Sequence, residues 1–136
     1  MKNFYLPTVD IIVPNFDKGK YLKKCLESVV NQSYKKWKLV VVDDNSKDVS
    51  LNILKKFKNK KKIKIIYLKK NKGPSFCRNL AIKNSSSSYV AFLDSDDTWK
   101  HNKLYTQLKY MIKNKYDFTF SDYCTYYEKD KKIKKK

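Results

Sequence analysis

Tyr89-Val-Ala-Phe-Leu-Asp-Ser-Asp-Asp-Thr-Trp99 is the stretch that decides how this chain is read. An apolar run ends abruptly in three aspartates among four positions, Asp94, Asp96 and Asp97. Such a run reads as a buried strand. In an open α/β sheet, whatever follows a strand's carboxyl end faces the crevice where these folds bind ligands. Carboxylates this close repel one another unless water or a cation joins them. Hard, oxygen-seeking Mg²⁺ or Mn²⁺ suits them, above all beside a phosphate that supplies further oxygens. The plainer alternative is a solvated acidic turn that caps the next helix, since Asp and Thr are good N-caps.

Upstream, Val9-Asp-Ile-Ile-Val13 reads as a first strand stopped by Pro14. Tyr21, Leu22, Cys25, Leu26, Val29 and Val30 recur at helical period with lysines opposite. Trp37 to Val42 is a second apolar strand ending at Asp43-Asp44-Asn45-Ser46. Ser46 is placed to cap a helix whose buried face is Val49, Ile53, Leu54 and Phe57. A third strand spans Ile63 to Leu68. The Asn71-Lys-Gly-Pro74 turn opens a helix with Pro74 at its first position and Phe76, Cys77, Leu80 and Ala81 buried. Ser85 to Ser88 form a connector. Beyond the aspartates come a helix with Leu104, Leu108, Met111 and Ile112 on one face, then a short strand at Asp117 to Ser121. Strand and helix alternate four times, which predicts a mostly parallel sheet with helices on both faces. In that arrangement Pro14 to Asp17, Asp43-Asp44, the Gly73 turn and Asp94 to Asp97 all emerge along one edge. One domain is expected over 1–128, followed by a frayed, charged tail over 129–136.

The chain of 136 residues carries a net charge of +19, and all its cations but Arg78 are lysines. This surplus would suit nucleic acid or an anionic membrane face. Proteins that read phosphates or base edges lean on arginine, however, so lysines along polar faces read as solvated surface and nucleic acid is not expected as a partner. Five of the thirteen acids fall in the two short clusters, a placement more telling than the net charge. The three cysteines, Cys25, Cys77 and Cys124, fit no zinc pattern. Their odd number and the absence of a signal peptide point to a cytoplasmic chain. No apolar run approaches the ~18 residues that span a bilayer.

With only Gly19 and Gly73, neither a Gly-x-Gly-x-x-Gly turn nor a P-loop can be assembled. A diphosphate would be held instead by a carboxylate-bound metal, which neutralises charge on a departing nucleoside diphosphate. Asp43 or Asp44 is placed to accept hydrogen bonds from a base or ribose. Arg78 is placed to reach the nucleotide with its planar fork, and internal pairing with an aspartate is an equal reading that does not exclude the first.

Ile11-Ile-Val-Pro-Asn-Phe16, the Val-Val-Asp-Asp-Asn-Ser run to Ser46, Asn71-Lys-Gly-Pro with Cys-Arg-Asn79, and Phe-Leu-Asp-Ser-Asp-Asp97 stand in the order and spacing of family 2 glycosyltransferases. The chain resembles that family over residues 8 to about 123. The resemblance implies the GT-A (Rossmann-like) three-layer fold with its C-terminal half absent. It further implies nucleotide binding by Pro14, Asp44, Arg78 and Asp96, and metal binding (Mn²⁺ or Mg²⁺) by Asp97, Asp96 and Asp94. Members transfer a sugar from a nucleotide donor, here expected to be UDP-linked, to an acceptor hydroxyl with inversion. A glycan or lipid-linked acceptor, surface glycan (lipo-oligosaccharide or polysaccharide) synthesis and peripheral contact at the inner face of an anionic membrane follow as expectations. The family's general base lies downstream of anything present, and Asp122 and Glu128 do not match it. A basic adaptor that docks on anionic membrane or nucleic acid without catalysis is the competing reading. His101 is read as a solvated first-turn residue rather than a metal ligand. The late aromatics Tyr105, Tyr110, Tyr116, Tyr123, Tyr126 and Tyr127 are read as core filling or as a bared apolar patch.

Overall fold

The computed structural model describes residues 7–127 and 131–135. Four parallel strands, β1 (Val9–Asn15), β2 (Trp37–Asp43), β3 (Ile63–Tyr67) and β4 (Tyr89–Phe92), form one sheet in the order β3-β2-β1-β4. The helices between them are α1 (Gly19–Val30), α2 (Ser50–Phe57) and α3 (Pro74–Lys83), with α4 (Lys103–Asn114) following β4.

The order explains the layering. Winding from β1 to β2 to β3 in one direction with right-handed crossovers puts α1 and α2 on the same face. Chain that then returns past β1 to lay down β4 must carry α3 over the opposite face. Two cores result. Ile11, Val13, Leu39 and Val41 pack with Leu22, Leu26, Leu54, Leu104 and Leu108 on one side, and Ile12, Val40 and Val42 with Cys77 and Ala81 on the other. Because β1 and β2 are covered on both faces, Ile11 to Val13 and Leu39 to Val42 are apolar without alternation. The winding direction reverses between β1 and β4, so a crevice opens at their carboxyl ends.

Several local expectations are corrected. Pro14 does not stop β1 but lies within it, opposite Val42. Alternate residues of a strand present their amides to opposite neighbours. Ile12 accepts from Leu93 on the β4 side, so Pro14 turns its missing donor to that side, past the last β4 pair, Ile12 with Phe92. The β4 strand is an edge rather than a buried strand, with Val90 38% and Phe92 50% exposed. Ser46 does not cap α2. Asp48 Oδ1 instead accepts the Ser50 amide at 2.9 Å, and Val49, expected on the buried face, is exposed. Phe76 also faces solvent. No strand forms at 117–121. Chain there runs irregularly to β5 (Cys124–Tyr127), which pairs antiparallel with β6 (Lys132–Lys135) inside the stretch expected to fray. Glu128 lies outside the described residues. The late tyrosines do not fill the core. Tyr110, Tyr116, Tyr123 and Tyr126 are at least half exposed, as are Phe118 and Phe120.

Candidate functional site

The carboxyl edge is built on a buried polar network that begins in β1. Asn15 donates from Nδ2 to Asp43 Oδ1 at 2.8 Å and to Ser46 Oγ at 3.1 Å. Ser46 donates its hydroxyl to Asp43 Oδ1 at 2.7 Å and its amide to Oδ2 at 3.1 Å. Asp43 is therefore a structural acid that ties the β1 and β2 ends together, with little left to offer a ligand. Ser46 Oγ also accepts the amide of Asp17, a non-glycine residue at φ 48°. Asp17 in turn accepts the Lys47 amide at 2.6 Å. These bonds cross-tie the loops after β1 and β2 and set the backbone of Lys18.

Asp44 does the same for the third loop. Its two oxygens accept the amides of Lys72 at 2.7 Å and Gly73 at 2.8 Å. Gly73 stands at φ 86°, ψ 162°, a conformation that essentially only glycine adopts, which is why the turn needs it. With Asp44 clamped to this turn, α3 starts at Pro74 and sends Arg78 toward the acidic loop. There the guanidinium donates to Asp94 Oδ1 at 2.6 Å. The internal pairing anticipated for Arg78 thus forms. Lys18 matches it with a 2.8 Å ion pair to Asp96 Oδ2. That pairing raises the pKa of the lysine, chiefly through the hydrogen bond to Asp96 and then its charge. Asp97 behaves in the opposite sense. Partial desolvation, then the negative charges of Asp96 and Asp94, push its carboxyl above its ordinary value.

Two buried thiols lie beneath these loops. Cys25 Sγ donates to the Asp94 carbonyl at 3.5 Å. Burial, with the charges of Asp97, Asp96 and Asp94, holds it at about 12. Burial and the neighbouring Asp44 hold Cys77 at about 11. Both are protonated packing groups, on the helix faces where the sequence places Cys25 and Cys77.

The segment after the aspartates is anchored from α1. Buried Gln32 donates from Nε2 to the Ser28 and Lys100 carbonyls and accepts the Leu104 amide on Oε1 at 3.0 Å, taking up a free donor at the start of α4. Ser28 Oγ accepts the Trp99 amide at 3.1 Å. His101 turns to the same end of α1, its Nδ1 2.6 Å from the Asn31 carbonyl. A carbonyl only accepts, so Nδ1 carries the proton. Neither Gln32 nor Lys18 stood out in the sequence. A lone glutamine on a helix end and one lysine among thirty-one carry no signal until the chain is folded.

Pro14, Asn15, Lys18, Asp44, Gly73, Arg78, Asp94 and Asp96 line one crevice of about 460 Å³. Asp97 belongs to the same turn but is not part of the wall. Among the described residues no three His, Cys, Asp or Glu side chains are positioned to hold an ion together. The donors still fit a divalent metal. They are hard oxygens, and Mg²⁺ bound beside a diphosphate needs only one or two carboxylates from the protein.

The sequence model of glycosyl transferase family 2 matches residues 10–136. This chain belongs to glycosyl transferase family 2. Among relatives, the family 2 domain is 38% identical over 118 residues to the putative teichuronic acid biosynthesis glycosyltransferase TuaG of Bacillus subtilis, covering 86% of this chain and 47% of TuaG. It is 36% identical to the UDP-Glc:alpha-D-GlcNAc-diphosphoundecaprenol beta-1,3-glucosyltransferase WfgD of Escherichia coli, covering 85% of this chain and 45% of WfgD. The chain thus spans about half the length of these two relatives. The crystal structure of S. aureus TarS 1–349 in complex with UDP-GlcNAc superposes with a TM-score of 0.73 at 33% identity, over 78% of this chain and 31% of that one. A mannosyltransferase of Pyrobaculum calidifontis solved with GDP-Man and Mn²⁺ has a TM-score of 0.74 at 22% identity, over 79% of this chain and 33% of that one, and shares the GT-A fold. Among the described residues no helix is long and apolar enough to cross a membrane.

Proposed function

We propose that this chain forms the donor-binding part of an inverting glycosyltransferase that takes a UDP-linked sugar. The observation that carries the reading is the single crevice at the β1/β4 switch point, where Pro14 of β1, Asp44 after β2, Arg78 of α3 and Asp94 and Asp96 after β4 meet. Pro14 and Asp44 sit at the end suited to a base, with the Asp44 carboxylate held by the Lys72 and Gly73 amides. Arg78 and Lys18 supply positive charge beside the acids, where a diphosphate belongs. One or two of Asp96, Asp97 and Asp94 would hold Mn²⁺ or Mg²⁺ jointly with the diphosphate. Once bound, the metal supplies Lewis-acid neutralisation of the leaving group.

In the transfer, an acceptor oxygen attacks the anomeric carbon from the face opposite the diphosphate. The bond to the phosphate oxygen breaks, and the diphosphate departs with the electron pair. The acceptor proton passes to a base that the residues of this crevice do not include. A lipid-linked or glycan acceptor in surface glycan synthesis, and a cytoplasmic chain meeting an anionic membrane peripherally, complete the proposal. It draws on the names of TuaG and WfgD. Thermal melting tests it. UDP with Mn²⁺ at a hundredfold excess over Kd stabilises by about 2.7 kcal/mol, and Asp97→Asn should remove the Mn²⁺-dependent part of the rise. A melting temperature indifferent to UDP, with and without Mn²⁺, overturns the donor-site reading.

A further inference from the structure

Two of the three acids in this loop are already paired with cations of the protein itself. Asp94 carries Arg78 at 2.6 Å and Asp96 carries Lys18 at 2.8 Å, and both cations line the crevice. A divalent ion that takes Asp96 as a ligand therefore competes with a lysine ammonium at contact distance. Two observations make Lys18 the mobile member of that contest. Its backbone is held, because Asp17 on one side is bonded to the Ser46 hydroxyl and the Lys47 amide, while the Gly19 amide donates to Asp48 Oδ2 at 2.7 Å. Its side chain is tethered at its tip, by the ion pair to Asp96. It is 44% exposed, on a flexible four-carbon stem, so it can swing without disturbing the loop. Arg78 is more enclosed, at 34%, and springs from the regular helix α3.

We infer that Lys18 is an exchangeable counter-ion that occupies Asp96 in the metal-free chain, is released when a divalent metal binds Asp96, and then contacts the nucleotide's diphosphate. This deepens the donor-site reading and rests on it for its second half. The exchange keeps the charge of the crevice nearly balanced at each stage. The lysine neutralises the acid when no metal is present. When metal and diphosphate arrive together, the metal takes the carboxylate and the lysine takes the added negative charge. Metal and nucleotide binding become coupled through one side chain, since each removes the cost the other would meet alone.

The sign of the effect separates this role from a structural one. Binding of Mn²⁺ alone is followed by loss of the free-ion electron paramagnetic resonance signal, and binding of UDP at saturating Mn²⁺ by calorimetry. Lys18→Met should tighten Mn²⁺ alone by about three- to fivefold, the size expected for removing one exposed competing charge. It should weaken UDP by about tenfold through loss of a charge-assisted contact. Lys18→Arg, which keeps the charge, should restore UDP binding to within about threefold of the parent. Weaker Mn²⁺ binding in Lys18→Met, no change in it, or no Mn²⁺ binding by either protein overturns the exchange. If Lys18→Met tightens Mn²⁺ while neither protein binds UDP, the donor-site reading fails and Lys18 stands as the counter-ion of Asp96.

Discussion

The two ends of the sheet carry crevices of similar size and opposite design. At the carboxyl edge, acids from two loops meet one arginine and one lysine in about 460 Å³. At the amino edge, a crevice of about 560 Å³ is ringed by Lys35, Lys36, Lys38, Lys61, Lys62 and Lys64, with Asp10 the one acid in its wall. Several of those lysines rest on neutral oxygens. Lys38 bonds Ser86 Oγ, Lys62 the Lys35 carbonyl and Lys64 Asn84 Oδ1. At the carboxyl edge charge is paired with charge, and each loop is tied to the next. At the amino edge charge of one sign accumulates and rests on neutral oxygens rather than on acids. A larger and more basic hollow is therefore not the better candidate for chemistry. Cross-tied loops at a switch point are what distinguish the other edge.

A buried aspartate stands at each edge, and their removal offers the largest test of the contrast. Asp43 has both oxygens engaged by Asn15 and Ser46. Asp10 uses Oδ2 for the Ser86 and Ser87 amides and leaves Oδ1 without a partner. Urea denaturation should show Asp43→Ala destabilised by about 3 kcal/mol and Asp10→Ala by about 1–2 kcal/mol. Equal losses would mean that the two edges are equally knit.

A smaller effect is expected from the lysines. Seven residues of β1 put about 20 Å between the edges, more than twice the ~8 Å screening length at physiological salt. Replacing Lys38, Lys62 and Lys64 together with Gln should leave UDP affinity within about twofold. A tenfold loss would show that the whole positive field, rather than the crevice, draws the nucleotide.

The smallest effect concerns Asp97. Its pKa is raised in the folded chain, so the fold binds a proton there more readily than the unfolded chain does. Stability then falls as pH rises from the ordinary value near 3.8 through the raised one. Asp97→Asn without metal should melt slightly higher than the parent at pH 7, by less than about 2 °C for so exposed a group. The gain should vanish below the ordinary value. A gain that persists there would assign it to packing instead.

What was legible and what was not follows from the range of the forces involved. The strand–helix alternation and the convergence of four loops could be read in advance. So could the burial of Cys25 and Cys77, which lie on the apolar faces of their helices. Pro14 misled because a proline in a strand is tolerated wherever the neighbouring strand has ended, and β4 ends two residues short of it. Ser46 misled because a serine before a helix reads as a cap, yet Asn15 and Asp43 claim it first. A late strand is expected at 117–121, but pairing needs a partner, and that partner lies opposite Cys124–Tyr127.

By itself the sequence determined the parallel sheet and the edge on which its acids emerge. Hydrophobic period and the handedness of crossovers are set by local chemistry and chirality, which every stretch carries within itself. Only the folded chain decided how the acids divide. Asp43 became a tie between strands, Asp44 the clamp on the Gly73 turn, Asp94 and Asp96 the partners of Arg78 and Lys18. Those assignments depend on hydrogen bonds between residues 16 to 78 positions apart, and such bonds exist only once the loops have been brought together.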